Sequence, residues 1–285
     1  MKSKCHFKGA FFELRKCLYF PFFVLSVAGL NILFFMSEGA KGADGKGYSV
    51  WRVMTLSSHL SLTERIDYCW LHMWEAGLGP WTLLAAPVIA AAGYIYTNSE
   101  EKRNRAEVFI KMRRNRISFT VSKVVSGMLS SAITLTAAYL LFGGILFFFF
   151  PKPSDYGESF AEVIKLMYGD DTVVYVLQKT AGVFLMGVGM AIVAIVLCAF
   201  IDDRYLLVSL PLLAAYLYER IMQRLYYTPA GMEHPETVEA LNIENLPYLF
   251  LRQQKWLSLL LIAGSVLICF ISYHLIRFRR KDEVL

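Results

Sequence analysis

The sequence has no charge where it is most apolar. Six segments are long enough to cross a bilayer, which takes about 20 mostly apolar residues, and none has a charged residue in its middle. Apolar residues make up 56% of the chain, against roughly 45–50% in soluble domains. We therefore predict an all-α, polytopic membrane protein with a single transmembrane domain. Its six predicted spans are residues 18–36, 76–96, 124–150, 180–201, 205–222 and 256–276.

Two of these spans need comment. The basic start and the apolar run 18–36 partly resemble a signal peptide, but the run is too long and no small-x-small site closes it. We expect this segment to be retained as a span. The fifth span is the least apolar, because Pro211 lies inside it and Glu219 and Arg220 lie near its end.

Recognisable patterns of catalysis and ligand binding are also absent from the sequence. The stretch "GADGKG" (42–47) lacks the spacing of a phosphate-binding loop, and no H-E-x-x-H or G-x-S-x-G occurs. The lack of ionisable residues at the span centres argues against a proton-coupled carrier or an ion channel. No internal repeat supports an inverted-repeat carrier. We predict no catalytic, cofactor-binding or metal-binding residues.

Positive charge is distributed unevenly between the loops. Four segments together hold 18 Lys/Arg against 8 Asp/Glu, and the rest of the chain holds 11 against 15. Because cytoplasmic loops are enriched in Lys and Arg, we predict that these four segments, and therefore both termini, are cytoplasmic. The net charge of +6 then reflects topology and gives no support to nucleic-acid binding. The predicted cytoplasmic segments are 1–17, 97–123, 202–204 and 277–285, and the predicted external segments are 37–75, 151–179 and 223–255.

Several short helices are predicted outside the spans. Residues 4–18 form an interfacial amphipathic helix, with the alternative that this N-terminus is frayed and only sets topology. Externally, residues 61–77 are predicted to lie at the membrane interface through Tyr68, Trp70 and Trp74. The sequence also indicates short helices at 159–167 and in "HPETVEAL". The predicted apolar face of the N-terminal helix is Phe7, Phe11, Leu14 and Leu18.

Only one of the five cysteines, Cys69, is predicted to lie outside the membrane on the external side. A single external cysteine forms no intramolecular disulfide framework. Cysteine chemistry therefore has no predicted role.

The loop Thr97–Lys123 holds eight Lys/Arg and three Glu. From Ser99 to Asn115 it has no glycine or proline and is rich in good helix formers. We predict one helix here, with Ser99 as N-cap and acidic residues in the first turn. Phe109 and Met112 lie together at i, i+3 spacing. A short helix of this kind is stabilised by resting on the membrane or in the groove of a partner.

This loop resembles the coupling loop of ABC-2 type transporter permeases, the membrane subunits that dock on a separate ATPase. In that family acidic residues open the loop, a Gly-Thr-like pair, a Glu and an apolar stretch follow, and Ser-Lys leads into the third span. Here Arg105 stands at the usual glycine place and Asn115 near the usual proline. The matching residues are Glu100-Glu101, Ala106-Glu107, Val108-Phe109-Ile110 and Ser122-Lys123.

The resemblance implies a subunit of an ATP-driven exporter in the plasma membrane that carries a peptide, a lipid-linked or a drug-like amphipathic substrate. Its partners would be an ATPase subunit, which binds the ATP, and a second permease copy or a paralogous permease. This chain would not itself be an enzyme. The implied ATPase-docking residues are Glu100, Glu101, Arg105, Glu107, Phe109, Met112, Arg113 and Arg116, and a possible second cytoplasmic contact is Asp202, Asp203 and Arg204.

Other readings of the sequence stay open. The chain is alternatively a non-transport membrane protein, such as a sensor or an immunity partner, or a membrane-embedded enzyme. The small-residue stripes 85–93 and 182–191 favour close helix packing, either at a subunit interface or within one subunit. The turn 202–204 ends one helix and starts another, and it is also a candidate for contact with a cytoplasmic partner.

Overall fold

The computed structural model of this protein describes residues 3–41, 47–56, 66–169, 171–251 and 255–279. The protein is mostly helical (86%). A small antiparallel pair, β1 (Glu38–Lys41) and β2 (Gly47–Ser49), follows the second helix, with Ala40 opposite Tyr48. Helices of 3-10 type lie at Ile66–Tyr68, Pro153–Asp155 and Ile243–Leu251. The α-helices are α1 (Ser3–Cys17), α2 (Phe20–Met36), α3 (Val50–Leu56), α4 (Trp70–Ala76), α5 (Pro80–Ile89), α6 (Ala92–Arg103), α7 (Ala106–Arg113), α8 (Arg116–Phe149), α9 (Glu158–Tyr168), α10 (Thr172–Phe200), α11 (Arg204–Tyr226), α12 (Pro229–Glu233), α13 (Pro235–Leu241) and α14 (Lys255–Arg279).

Four helices are long and apolar enough to cross a membrane: α8, α10, α11 and α14. Two bent pairs are further candidates, α1 with α2 (bent by 59°) and α4 with the α5–α6 segment (bent by 61°). The chain therefore has four to six candidate apolar spans. These long apolar helices indicate a mostly helical, membrane-embedded protein.

The boundaries of three predicted spans differ from the helices of the structure. The second does not start at Ala76, because the turn 77–79 separates α4 from α5, and the helix is interrupted again at Ala90 and Ala91. The helices of the third and fourth spans start earlier than predicted, since α8 already begins at Arg116 and α10 at Thr172. Apolar composition marks the membrane-crossing part of a helix and carries no information on how far the helix continues into its polar flanks.

The short helices outside the long apolar runs were largely predicted from the sequence. Helix α9 confirms the helix at 159–167, and α13 begins at Pro235 as expected for a proline at the first helical position. Helix α1 confirms the N-terminal helix. Its Phe11 is 71% exposed, whereas the side chain of Phe7 lies outside the described part of the structure.

The side chain of Trp74 does not face the lipid headgroups, the contact predicted for it from the sequence. Its side chain is buried against α8, where the indole N–H donates to the carbonyl oxygen of Tyr139 at 2.9 Å and the two rings stack at 4.5 Å. Trp70 also donates its indole N–H into α8, to the carbonyl oxygen of Gly143 at 2.8 Å. Both tryptophans therefore fix α4 onto the bundle. Residues 61–65 of the same predicted segment lie outside the described residues.

Helices α8 and α10 form the centre of the bundle. They approach so closely that a Cβ added at Gly187 would lie 2.6 Å from the Cα of Ala132. Helix α10 also packs tightly on the 3-10 helix Ile243–Leu251, since a Cβ added at Gly182 would lie 2.5 Å from the carbonyl oxygen of Leu246. The small-residue stripe at 182–191 therefore packs within the subunit, which is one of the two roles predicted for it. Around this contact lie Leu135, Val183 and other fully buried apolar residues.

Among the described residues, Cys17, Cys69, Cys198 and Cys269 are buried free thiols. Burial raises the pKa of the Cys69 thiol above its usual value. A protonated thiol is a poor nucleophile, so burial of Cys69 favours its unreactive form.

The contact at Gly187 predicts a specific loss of stability. Gly187→Ala places a methyl group against the backbone of α8, so α8 and α10 must separate and the free energy of unfolding should fall by about 1–3 kcal/mol. Gly264→Ala in α14 is the matched control, because a Cβ there meets nothing within 4 Å. It should raise helix stability by up to about 1 kcal/mol. SDS titration of both variants in mixed micelles measures the difference; equal stabilities would contradict the packing.

Candidate docking site on the charged loop

The charged loop is built from two helices rather than the single helix predicted for 99–115. Helix α6 continues from the apolar segment to Arg103, so Ser99 is buried inside a helix and is not an N-cap. The break comes at Arg105, whose backbone is left-handed (φ 53°). This conformation costs a residue with a Cβ about 1–2 kcal/mol. Good helix formers alone therefore did not decide the path of the chain here, because α7 is held at a new angle by contacts from other helices.

A buried ion cluster holds the first half of the loop. Lys123 of α8 donates to Glu13 of α1 at 2.8 Å and also to Glu101 of α6. Lys16 of α1 donates to Glu101 at 2.9 Å and lies 3.6 Å from Glu13. Arg114 adds a contact to Glu13 at 3.8 Å. Because Glu13, Glu101 and Lys123 are each less than a tenth exposed, this cluster locks α1, α6 and α8 together.

The second half of the loop is tied to the last helix. Arg277 of α14 forms a two-pronged ion pair with Glu107 of α7, at 2.7 Å for the Nε–Oε1 bond, and it also donates to the carbonyl oxygen of Ala199 at 2.9 Å. Lys102 donates to Asp202 at 2.7 Å and to the carbonyl oxygen of Ile201 at 2.8 Å. The loop is thus fastened to α1, α8, α14 and the α10–α11 turn.

The outward side of α7 carries apolar side chains. Phe109 is 64% exposed, Met112 is 77% exposed and Val108 is 48% exposed. Glu107, one residue from Val108, is 5% exposed and faces the bundle. Helix α7 therefore has one side held by a buried ion pair and another presenting an apolar patch, here called the α7 patch (Val108, Phe109 and Met112).

The structure divides the predicted docking residues into two groups. Glu101 and Glu107 point inward and position the loop, while Arg105, Phe109, Met112 and Arg116 are exposed. Glu100 accepts a hydrogen bond from Asn104 at 3.4 Å and lies 3.5 Å from Arg103. The side chain of Arg113 lies outside the described part of the structure.

The predicted second contact, residues 202–204, has clear structural roles. The Asp203 carboxylate accepts from the backbone N–H groups of Tyr205 and Leu206 at 2.7 and 3.3 Å, so it caps the start of α11. Asp202 pairs with Lys102 of the loop. The turn therefore ends one helix and starts the next, as predicted from the sequence; the side chain of Arg204 lies outside the described residues.

A second buried ion pair, at the opposite end of the bundle, was missed from the sequence. Lys179 of α10 is fully buried; it donates to Glu75 of α4 at 2.8 Å and lies 3.0 Å from the ring centroid of Tyr248. Tyr175 donates a further hydrogen bond to Glu75. In the sequence, Lys179 looks like an ordinary loop charge beside an apolar run, and its carboxylate partner comes from a distant segment, so no local signal identifies the pair.

The two polar clusters bracket the apolar part of the bundle. Along α10, Lys179 and Ala199 lie about 30 Å apart at 1.5 Å per residue. The hydrocarbon core of a bilayer is about 30 Å thick. The ionic contacts therefore lie at the two ends of a membrane-sized apolar slab, and the charged loop lies at one of these ends.

Comparisons with known proteins add no family: no family model, curated protein or solved structure matches this chain. Among the described residues there is also no group of three or more His, Cys, Asp or Glu side chains placed to hold a metal ion. The geometry of the charged loop is therefore the main structural guide to function.

Removing the central lysine of the ion cluster should destabilise the protein strongly. Lys123→Met leaves two buried carboxylates without their main partner, which should reduce the free energy of unfolding by about 3–5 kcal/mol. Lys16→Met is the matched control, because its side chain is 31% exposed and Lys123 still pairs with both carboxylates. We expect a loss of about 1 kcal/mol or less in the control. SDS titration measures both; a small effect at Lys123 would contradict a buried, structure-holding cluster.

Proposed function

We propose that this chain is the membrane-spanning subunit of an ATP-driven transporter of the ABC-2 type, and that α7 receives the movement of a separate ATPase. The observation that carries the proposal is the two-sided character of α7. Glu107 ties the helix to α14, while the α7 patch is exposed on its other side. A basic loop that only sets the orientation of the protein in the membrane does not require an exposed apolar patch on a helix that ion pairs hold in place.

The rigid attachment of α7 is what a coupling element requires. A push on the patch is carried by the Glu107–Arg277 pair into α14 and by the Glu101–Lys123 pair into α8. Lys102 carries it to the turn before α11. A flexible loop would absorb such a displacement, whereas paired buried charges resist separation because each separated charge loses several kcal/mol of favourable interaction.

Two backbone positions add support for the family resemblance. Arg105, at the family's usual glycine place, has the left-handed conformation that glycine adopts most readily. Asn115, near the usual proline, has φ −61° and opens α8, and the preceding Arg114 is extended. These are the backbone conformations of a proline and of the residue before it. The chain path thus suits the family's pattern even where the side chains depart from it.

In this proposal the protein has six spans, with α1 lying at the cytoplasmic interface and both termini in the cytoplasm of a plasma-membrane protein. The bent α4–α5–α6 segment supplies the second span. The α7 patch then faces the cytoplasm, where an ATPase binds its ATP. A second copy of the chain, or a paralogous permease, completes an exporter for a peptide, a lipid-linked or a drug-like amphipathic substrate.

The docking role is tested by charge introduced into the α7 patch. Phe109→Asp/Met112→Asp should reduce binding to the candidate ATP-binding cassette ATPase by about tenfold or more, because two central apolar anchors are lost. Co-purification from detergent and a titration with the purified ATPase measure the loss. The matched control is Leu166→Asp/Met167→Asp in α9, another exposed apolar pair on a short helix. Equal binding by both variants, or no ATPase partner at all, would favour a sensor or immunity protein.

The orientation is tested separately with single cysteines. In a background lacking Cys5, the other four cysteines being buried, Leu166→Cys should react with a membrane-impermeant maleimide on intact cells. Met112→Cys should react only after the membrane is permeabilised. Leu166 is 89% exposed and Met112 is 77% exposed, so access to solvent within the protein does not limit either reaction. The reverse pattern would place the charged loop outside.

A further inference from the structure

A large cavity lies on the side of the bundle formed by α5, α10, α11 and α14. Its volume is about 590 Å³, within the range of about 300–1,000 Å³ for small-molecule sites. Ligand sites are typically concave, mostly apolar spaces of this size with a few polar groups, so this cavity is a candidate binding site. It is distinct from the charged loop, since none of its lining residues belongs to α6 or α7.

The body of the cavity is apolar. Leu83 and Pro87 of α5, Met190 of α10 and Leu261 of α14 line it, and Ala215 of α11 leaves space between them. On one side it is bounded by residues 238–246, a segment held to α11 by Tyr218. The Tyr218 hydroxyl donates to the carbonyl oxygen of Leu241 and accepts from the N–H of Ile243 at 3.3 Å.

The charges that line the cavity are all negative. Three glutamates contribute, Glu219, Glu239 and Glu244, and no Lys, Arg or His is among the described lining residues. Within the described structure, Glu219 and Glu244 contact neutral amides: Gln223 donates to Glu219 at 3.1 Å and Asn242 donates to Glu244 at 3.2 Å. Among the described residues, no cation of the chain forms an ion pair with these two half-buried carboxylates, which favours a positively charged ligand in a low-dielectric site.

The aromatic lining agrees with this charge. Tyr218, Tyr226 and Tyr227 all line the cavity, and tyrosine faces attract organic cations, most strongly where water is excluded. The nearby Arg220 is not a lining residue; it donates to the Tyr216 hydroxyl at 3.2 Å and to Gln223 at 3.3 Å. Tyr218 and Glu219, near the end of the fifth predicted span, both line the cavity.

We propose that this cavity binds a small amphipathic organic cation, with its apolar body between α5, α10 and α11 and its positive group beside Glu219 and Glu244. Binding here requires no ATPase. Its failure would therefore leave the proposed docking role of α7 untouched, and failure of the docking role would leave the cavity as a ligand site.

Two ions of matched size and shape test the proposal. Tetraphenylphosphonium and tetraphenylborate differ in the sign of their charge. With the purified chain in lipid nanodiscs, and empty nanodiscs as the blank, we expect tetraphenylphosphonium to displace the fluorescent cation rhodamine 6G and to raise the unfolding temperature. Tetraphenylborate should bind at least about tenfold more weakly. Equal binding of the two ions, or binding of neither, overturns the proposal.

Substitutions locate the binding site. Glu219→Gln/Glu244→Gln keeps the side-chain shapes and should weaken tetraphenylphosphonium about tenfold or more. Glu162→Gln/Glu233→Gln removes two exposed charges away from the cavity and should leave affinity unchanged. Ala215→Trp fills the space and should abolish binding. If that variant does not fold, the affinity of the Glu219→Gln/Glu244→Gln variant tests the location of the site. Unchanged affinity in the Glu219/Glu244 pair overturns the assignment.

Discussion

Charge buried at the two ends of the apolar bundle has to be paired, and this constraint determines how the polar segments of the chain meet. An unpaired buried lysine or glutamate destabilises the folded state by several kcal/mol. At one end of the bundle Lys123 therefore pairs with Glu13 and Glu101. At the other end Lys179 pairs with Glu75. Each partner comes from a different helix. The ion pairs therefore decide which helices touch, while apolar packing between α8 and α10 supplies the core that they enclose.

This pairing explains the composition of the charged loop. Two of its three glutamates lie inside the protein, where Glu101 and Glu107 hold α6 and α7 to neighbouring helices. What remains on the outside is the apolar α7 patch among basic residues. Such a surface is suited to an apolar groove with an acidic rim, since rim charges guide encounter and a central apolar cluster supplies affinity. The loop thus connects several helices through its buried charges and also presents an exposed apolar surface.

Helix α11 has a different position in the bundle. Only 11% of its most apolar stretch is buried inside the protein, and its polar residues Tyr218 and Glu219 face a cavity instead of a neighbouring helix. Weak hydrophobicity of a predicted span is often interpreted as evidence that the segment does not cross the membrane. Here the polar side chains are explained by the space beside them, which makes α11 a wall of a ligand site as well as a candidate membrane helix.

Local sequence determined the helical, membrane-embedded character of this protein and the location of the charged loop. Both follow from runs of apolar residues and from charge counts, which do not depend on tertiary contacts. It also determined the short helices α9 and α13, whose signals lie within a few residues. The break at Arg105, the inward turn of Glu101 and Glu107, the burial of Trp74 and Lys179, and the cavity beside α11 were decided only by tertiary structure. Each of these depends on a partner far along the chain. The free energy gained by pairing a buried charge or by packing a side chain exceeds the small free-energy differences of local conformational preference.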